Sequence, residues 1–359
     1  MSKKVSSAGA KPLYNGPSPN RHENPKEALV TRKLSLMITW QFDMKKEDAI
    51  ELARIADETG IDSFWVPEGW ARDAFSLLIS IAEKTERLKL ATGIVNAYSR
   101  TPGALAQHFA TLDEWSDGRA IIGLGASSAN VIEQFHGVPF QPSLARLRET
   151  VEIINMLMRG EKLVYSGKWF NMDRGFTLRF KPVREHIPIF LATLNPKSVK
   201  MTAEVADGWM PAMIPKSALK AEIDQFRQWA ADAGRDPAVL EVKAGGVTVS
   251  DAPGARDAGR GFLAFYIARM GDFYYRQLSR FGYADEVAHI RKVFNEQGSK
   301  AGAAAIPPHL LEDLGFAGNA DECLAQLREY EAMGVDVHNV TIDTRDPVKF
   351  GRAVETLLR

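Results

Sequence analysis

Apolar positions along this chain follow two alternating spacings. Short unbroken apolar runs, such as LSLMITW, DSFWVPE, LKLAT and RAIIGL, are bounded by glycine or polar residues. That is the pattern of parallel strands covered on both faces. Between them, apolar residues recur three and four apart, as on one face of a helix. One such stretch runs from Asp43 to Thr59 and is closed by Gly60, and a second passes through Phe75 to Lys84. A third starts at Thr101-Pro102, carries Ala104, Leu105, His108, Phe109, Leu112 and Trp115 at helical spacing, and breaks at Asp117-Gly118. Further helices are predicted from Pro142 to Arg159, from near Pro196, from Ser217 to Ala233 and at the C-terminus. Strands are predicted near 34–40, 62–66, 88–92, 119–124, 187–192, 207–213, 240–248 and 337–342. Eight strands with helices between most of them predict an α/β fold, a (β/α)8 TIM barrel.

Three segments depart from the alternation. Residues 1–30 are rich in Ser, Pro, Asn and Lys with little to bury, and read as a flexible arm before a barrel domain at 31–359. YSGKWFNMDRGFTLRF is a polar excursion before the fifth strand. Residues 252–312, carrying GFLAFYIARMGDFYYRQLSRFG, form a helical insertion between strands seven and eight. Its aromatic density suits a lid over a pocket, an oligomer face, or a cap packing its own rings. No internal repeat is present.

Composition narrows the function. With 359 residues and 45% hydrophobic content, one large barrel uses the whole chain. Lys plus Arg and Asp plus Glu are each 45, so no global field favours nucleic acid or an anionic membrane. The single Cys323 excludes an internal disulfide and a cysteine-based metal cluster. No apolar run approaches the roughly 18 residues needed to span a bilayer, and the polar start lacks a signal-peptide core. A cytoplasmic protein is expected.

Ligands of parallel sheets sit at the carboxyl ends of the strands, which makes Gly93 to Arg100 and Gly125 to Asn130 candidate site loops. Gly123-Leu-Gly125-Ala-Ser-Ser128 has only two of the glycines of a dinucleotide fingerprint, and no acidic residue closes a second strand about 20 residues later. There is no phosphate-binding P-loop, no GxSxG elbow and no HExxH, and no two His stand four apart. His108 reads as helix packing and His136 as a loop residue. The strand ends offer Trp40-Gln41, Glu68-Gly69-Trp70, Asn96, Gly125 to Asn130, and Thr193-Leu194-Asn195. One carboxylate, two indoles and several neutral hydrogen-bonding groups suit a planar, polar-edged ring better than a metal. Trp40 and Trp70 are candidate walls of a substrate pocket, and core packing is the competing reading of each.

The run TGIVNAYSRTPGALAQHFATLDEWSDGRAIIGLGASS resembles the bacterial-luciferase-like superfamily, within it the branch that uses the deazaflavin coenzyme F420, especially methylenetetrahydromethanopterin reductase. The similarity spans about Leu34 to Arg359 and includes IPIFLATLNPKSVKMTAEVADGW. It implies a cis peptide between Gly93 and Ile94 behind the cofactor ring, with Asn96 as a polar cofactor contact. It extends the cofactor site over Gly125, Ser127 and Ser128. It places Ala192, Thr193, Leu194 and Asn195 between ring and phosphate, with amides at the start of the Pro196 helix on the anion. Lys197 and Lys200 face the acidic tail of F420 in this reading, or are solvated helix lysines. The resemblance also implies a homodimer or higher homo-oligomer. This chain departs from the branch where relatives carry an Asp-His pair, having Glu68-Gly69, and where they place an acid, having Ser127-Ser128. Glu68 is then the candidate general acid or base, unless it pairs structurally with Arg72 or another cation.

Three readings follow. One is an F420-dependent oxidoreductase moving a hydride between the deazaflavin and a small organic substrate. Another is an FMN-dependent monooxygenase served by a separate reductase, and the third a ligand-binding barrel without redox turnover.

Overall fold

The computed structural model describes residues 32–38, 44–141 and 144–359. The predicted N-terminal arm, Trp40, Gln41 and Pro142 lie outside the described residues. The chain opens with β1 (Lys33–Met37), α1 (Lys46–Thr59), β2 (Ser63–Val66), α2 (Ala74–Ala82) and β3 (Lys89–Thr92). It continues through β4 (Val95–Asn96), α3 (Pro102–Trp115), β5 (Ala120–Gly125), α4 (Ala129–Gln134) and α5 (Leu144–Met158). A small antiparallel pair, β6 (Leu163–Ser166) and β7 (Asn171–Phe176), precedes β8 (Ile189–Ala192), α6 (Pro196–Val205), β9 (Gly208–Trp209) and α7 (Lys216–Asp232). After β10 (Glu241–Val249) come the helices α8 (Gly259–Arg269), α9 (Phe273–Arg280), α10 (Ala284–Gln297), α11 (Ser299–Ala304) and α12 (Pro308–Leu314). The chain ends with β11 (Phe316–Gly318), α13 (Ala320–Met333), β12 (Val337–Ile342) and α14 (Pro347–Leu357).

β1, β2, β3, β5, β8, β9, β10 and β12 pair in parallel in that order, and β12 returns to β1. The ring is a closed eight-stranded barrel with its helices outside. The apolar runs explain it. All four residues of β2 and all six of β5 are buried, which only a strand packed on both faces achieves. Gly123 in β5 is demanded by close approach: a Cβ there would stand 1.8 Å from the Thr92 carbonyl oxygen. Thr101 caps α3 as its sequence predicts, its hydroxyl accepting from the Ala104 amide at 3.2 Å with Pro102 in the first turn.

Three cores result. The largest lies between sheet and helices, and a second, of Trp65, Ala91, Ile121, Phe190 and Met210, fills the barrel interior. The third belongs to α8 to α12, whose Leu263, Ile267, Leu278, Ile290 and Leu310 pack on one another. Differences from expectation are local. The polar excursion contains the β6–β7 hairpin, and the strand expected at 207–213 keeps only Gly208–Trp209. The loop expected after β5 winds into α4 within four residues of Gly125. Among the described residues no helix is long and apolar enough to cross a membrane.

Candidate active site

The loops leaving the carboxyl ends of β3, β5 and β8 converge on one part of the rim. The Gly93–Ile94 peptide is cis. A Cβ built on Gly125 would lie 3.2 Å from the Ile94 Cδ1 and 3.4 Å from the Ala192 Cβ, so these three residues, taken from three strands, meet. Small side chains keep that meeting point open. Asn96, buried at the end of β4, accepts hydrogen bonds on Oδ1 from the amides of Tyr98 at 2.9 Å and Ser99 at 2.7 Å. Its side chain thereby fixes the turn, as Asn does in short loops. The Nδ2 group has no partner among the described residues.

The next loop adds further unpaired groups. Ser127 is held at φ 63°, a left-handed conformation that costs a non-glycine residue about 1–3 kcal/mol. This turn delivers Ser128 to the N-cap of α4, where its hydroxyl makes no cap bond. The buried Ser128 Oγ and Ser99 Oγ both lack a partner among the described residues. Burying a hydroxyl without a partner costs about 1–3 kcal/mol, so two on one rim mark a surface shaped for something else to bind.

Glu68 is ion-paired. It is buried, with 6% of its surface exposed, and it receives two bonds from Arg100, at 2.6 and 2.9 Å. The Ala74 amide donates a third at 3.2 Å, and Arg100 also reaches Asp73 at 2.8 Å. Both oxygens are engaged, and the cation that meets Glu68 is Arg100, not Arg72. His108 stacks on Phe75 beside this network, 4.7 Å between ring centres, and burial lowers its pKa. It packs, as its helical position predicts.

At β8 the Thr193 hydroxyl is bonded to the Thr202 hydroxyl at 2.8 Å and its carbonyl accepts from the Trp209 indole at 2.9 Å, so its side chain faces α6. Leu194 is half-buried, and Asn195 caps α6 by accepting from the Ser198 amide at 3.0 Å. Pro196 has no N–H, and the Val199 amide bonds Asn195, which leaves the Lys197 amide as the free donor of that turn. The helix start is therefore a narrower anion site than its sequence implies. The Lys197 and Lys200 side chains are exposed.

Trp70 is half-buried and meets Phe265 of α8, with ring centres 6.4 Å apart. Two residues went unnoticed in the sequence. Lys243, wholly enclosed in β10, bonds the Asn339 carboxamide and lies 4.5 Å from the ring centre of Trp65. Burial pushes its ammonium down to about 7. Met213, after β9, stands at φ 50° and packs on the insertion core. A lysine inside LEVKAGGVTV was a visible signal for the first, whereas nothing local marks the second.

A closed parallel barrel with unpaired polar atoms at its carboxyl rim and a helical insertion beside them defines a (β/α)8 enzyme site. The family description for luciferase-like monooxygenases matches residues 27–337, and the chain belongs to that family. It is an oxidoreductase. A coenzyme F420-dependent oxidoreductase of Mycobacterium tuberculosis, so described by its name, is 30% identical over 88% of this chain and 97% of its own length. The 5,10-methylenetetrahydromethanopterin reductase of Archaeoglobus fulgidus is 29% identical over 82% and 89%. Among solved structures, the F420-dependent tetrahydromethanopterin reductase of Methanopyrus kandleri superposes with a TM-score of 0.78 at 22% identity, covering 92% of this chain and 98% of that one. The oxygenating component of 3,6-diketocamphane monooxygenase from Pseudomonas putida, in complex with FMN, gives 0.63 at 20% identity over 92% and 97%.

Proposed function

We propose that this chain is an F420-dependent oxidoreductase that passes a hydride between the deazaflavin and a small organic substrate held at the carboxyl rim. The relatives named for F420 support the reading, and one observation in the molecule carries it: among the described residues, Asn96 Nδ2, Ser99 Oγ and Ser128 Oγ have no partner where loops from neighbouring strands meet. These residues fit the group, because neutral donors and hydroxyls on a glycine-bordered surface match the polar edge of a flat heterocycle. When bound, F420 supplies hydride acceptance and donation at its ring. The chain's part is to hold and orient. Asn96, Ser99 and Ser128 take the polar groups, Ile94, Gly125 and Ala192 leave a flat apolar contact, and the Lys197 amide with Leu194 and Asn195 borders the phosphate end. Glu68 acts through Arg100 as a positioning residue that fixes the loop carrying Ser99.

Titration of the cofactor-free chain with F420 and with FMN tests this reading. F420 binding at least tenfold tighter than FMN is expected, and the reverse preference, with oxygen consumed in the presence of reduced FMN, would move the chain to the monooxygenases. The FMN complex among its structural neighbours makes that second outcome specific. Asn96→Ala should weaken F420 binding by about 1–3 kcal/mol. Glu68→Gln, if Glu68 positions rather than transfers a proton, should weaken cofactor binding while the pH profile of turnover keeps its shape. A profile that loses one limb would return Glu68 to the role of acid or base.

A further inference from the structure

α8 carries apolar residues on both sides, which a helix covered on one side only does not require. Leu263, Ala264 and Ile267 enter the core of the insertion. The other side presents Phe262, Phe265 and Tyr266, and it is fixed to the rim at three places. Phe265 meets Trp70 after β2, the carbonyl of Arg269 accepts from the Asn130 side chain of α4 at 2.9 Å, and Phe273 of α9 meets Phe140 with ring centres 6.3 Å apart. The insertion therefore reaches from the loop after β2 to the segment after β5.

The rings on this side form a continuous set. Phe262 lies 4.2 Å from Tyr266, which lies 4.9 Å from Tyr274 of α9, centre to centre. Neither phenol hydroxyl has a hydrogen-bond partner among the described residues. Burial raises the pKa of both, and the charge of Tyr266 raises that of Tyr274 further, so both are protonated donors at neutral pH. The cations of α8 point elsewhere: Arg269 sits over Phe294 and Arg260 bonds Asp257 and the Ile306 carbonyl. Flat apolar faces and two neutral hydroxyls describe the complement of an aromatic ring bearing an oxygen.

We infer that the rim between Trp70 and the Tyr266–Tyr274 pair binds a planar aromatic substrate whose hydroxyl or carbonyl oxygen bonds the two phenols. The word substrate rests on the oxidoreductase reading; the binding does not. The test is calorimetric titration of the cofactor-free full chain with 2-naphthol, naphthalene and the saturated alcohol 2-decalol. 2-Naphthol should bind about tenfold tighter than either, and Tyr266→Phe with Tyr274→Phe, which keep both rings, should reduce naphthol to the affinity of naphthalene. Trp70→Leu should weaken both aromatic probes and leave 2-decalol unchanged. Decalol binding as tightly as naphthol, or naphthol affinity untouched by both Tyr→Phe changes, would overturn the inference. So would a Phe262→Ser chain that falls from oligomer to monomer with unaltered naphthol affinity, because that face would then be an interface between copies. Failure of F420 to bind would leave these results standing, so the two readings fail separately.

Discussion

The two ends of the barrel put their buried polar groups to different uses. At the amino end, Asp57 accepts from the amides of Glu86, Arg87 and Leu88 at 3.0, 2.9 and 2.6 Å. Nearby, the wholly buried Asp113 receives two bonds from Arg184 and one from the Ala120 amide at 3.2 Å. Arg119 donates to the carbonyls of Ala82, Thr85, Leu88 and Ser116 and to the Thr85 hydroxyl. At the carboxyl end, among the described residues, Asn96 keeps an unused donor, and Ser99 and Ser128 keep unpaired hydroxyls. Satisfied groups hold strands to helices; unsatisfied ones lower stability unless a ligand completes them. In such barrels one end therefore serves folding and the other binding.

Breaking the amino end should cost most. Asp113→Ala leaves the Arg184 guanidinium without its carboxylate in a half-buried place, and a loss of about 3 kcal/mol is expected in denaturant unfolding, with cofactor affinity unchanged in the molecules that remain folded. A loss below about 1 kcal/mol would remove the contrast between the two ends. The amino half has exceptions: His338 Nδ1 and Arg227 Nε are buried without a partner among the described residues, and Lys243 is a buried ammonium bonded to a neutral amide. Its folded pKa of about 7 lies below the ordinary 10.5, so between those values the unfolded chain holds a proton that the folded chain has released. Stability contributed by this group therefore rises with pH across that window, and below about 7 the full desolvation cost is carried. Lys243→Met should flatten the rise in unfolding curves taken between about pH 6 and pH 10.

The smallest effect sharpens the comparison. Ser128→Ala removes an unpaired buried hydroxyl, and the cofactor-free chain should become more stable by up to about 1 kcal/mol while F420 affinity falls about tenfold. A destabilised variant with normal affinity would show that this hydroxyl belongs to the scaffold.

The site was legible in part, and the boundary follows a physical line. Glu68, Asn96, Gly125 and Ser128 could be placed at strand ends because each follows an apolar run whose end is visible in the sequence. Which cation meets Glu68 could not be read. Arg72 is four residues away and Arg100 is thirty-two, yet only Arg100 lies on the neighbouring loop once β2 and β3 pair. The same applies to the Thr193 hydroxyl, whose partner Thr202 arrives only with α6. Asn195 and Pro196 announced a helix start correctly, but the capping that starts the helix also uses an amide that an anion would need.

What the sequence determined by itself is periodic or local: the alternation of buried runs and amphipathic helices, and the capping residues. These depend on residues within a turn or two of each other. The tertiary structure alone decided which polar atoms are paired, which way the aromatic side of α8 turns, and that Lys243 is enclosed without a counter-charge among the described residues. Those outcomes depend on groups brought together from strands tens to hundreds of residues apart, and no local pattern encodes a partner that only closure of the barrel supplies.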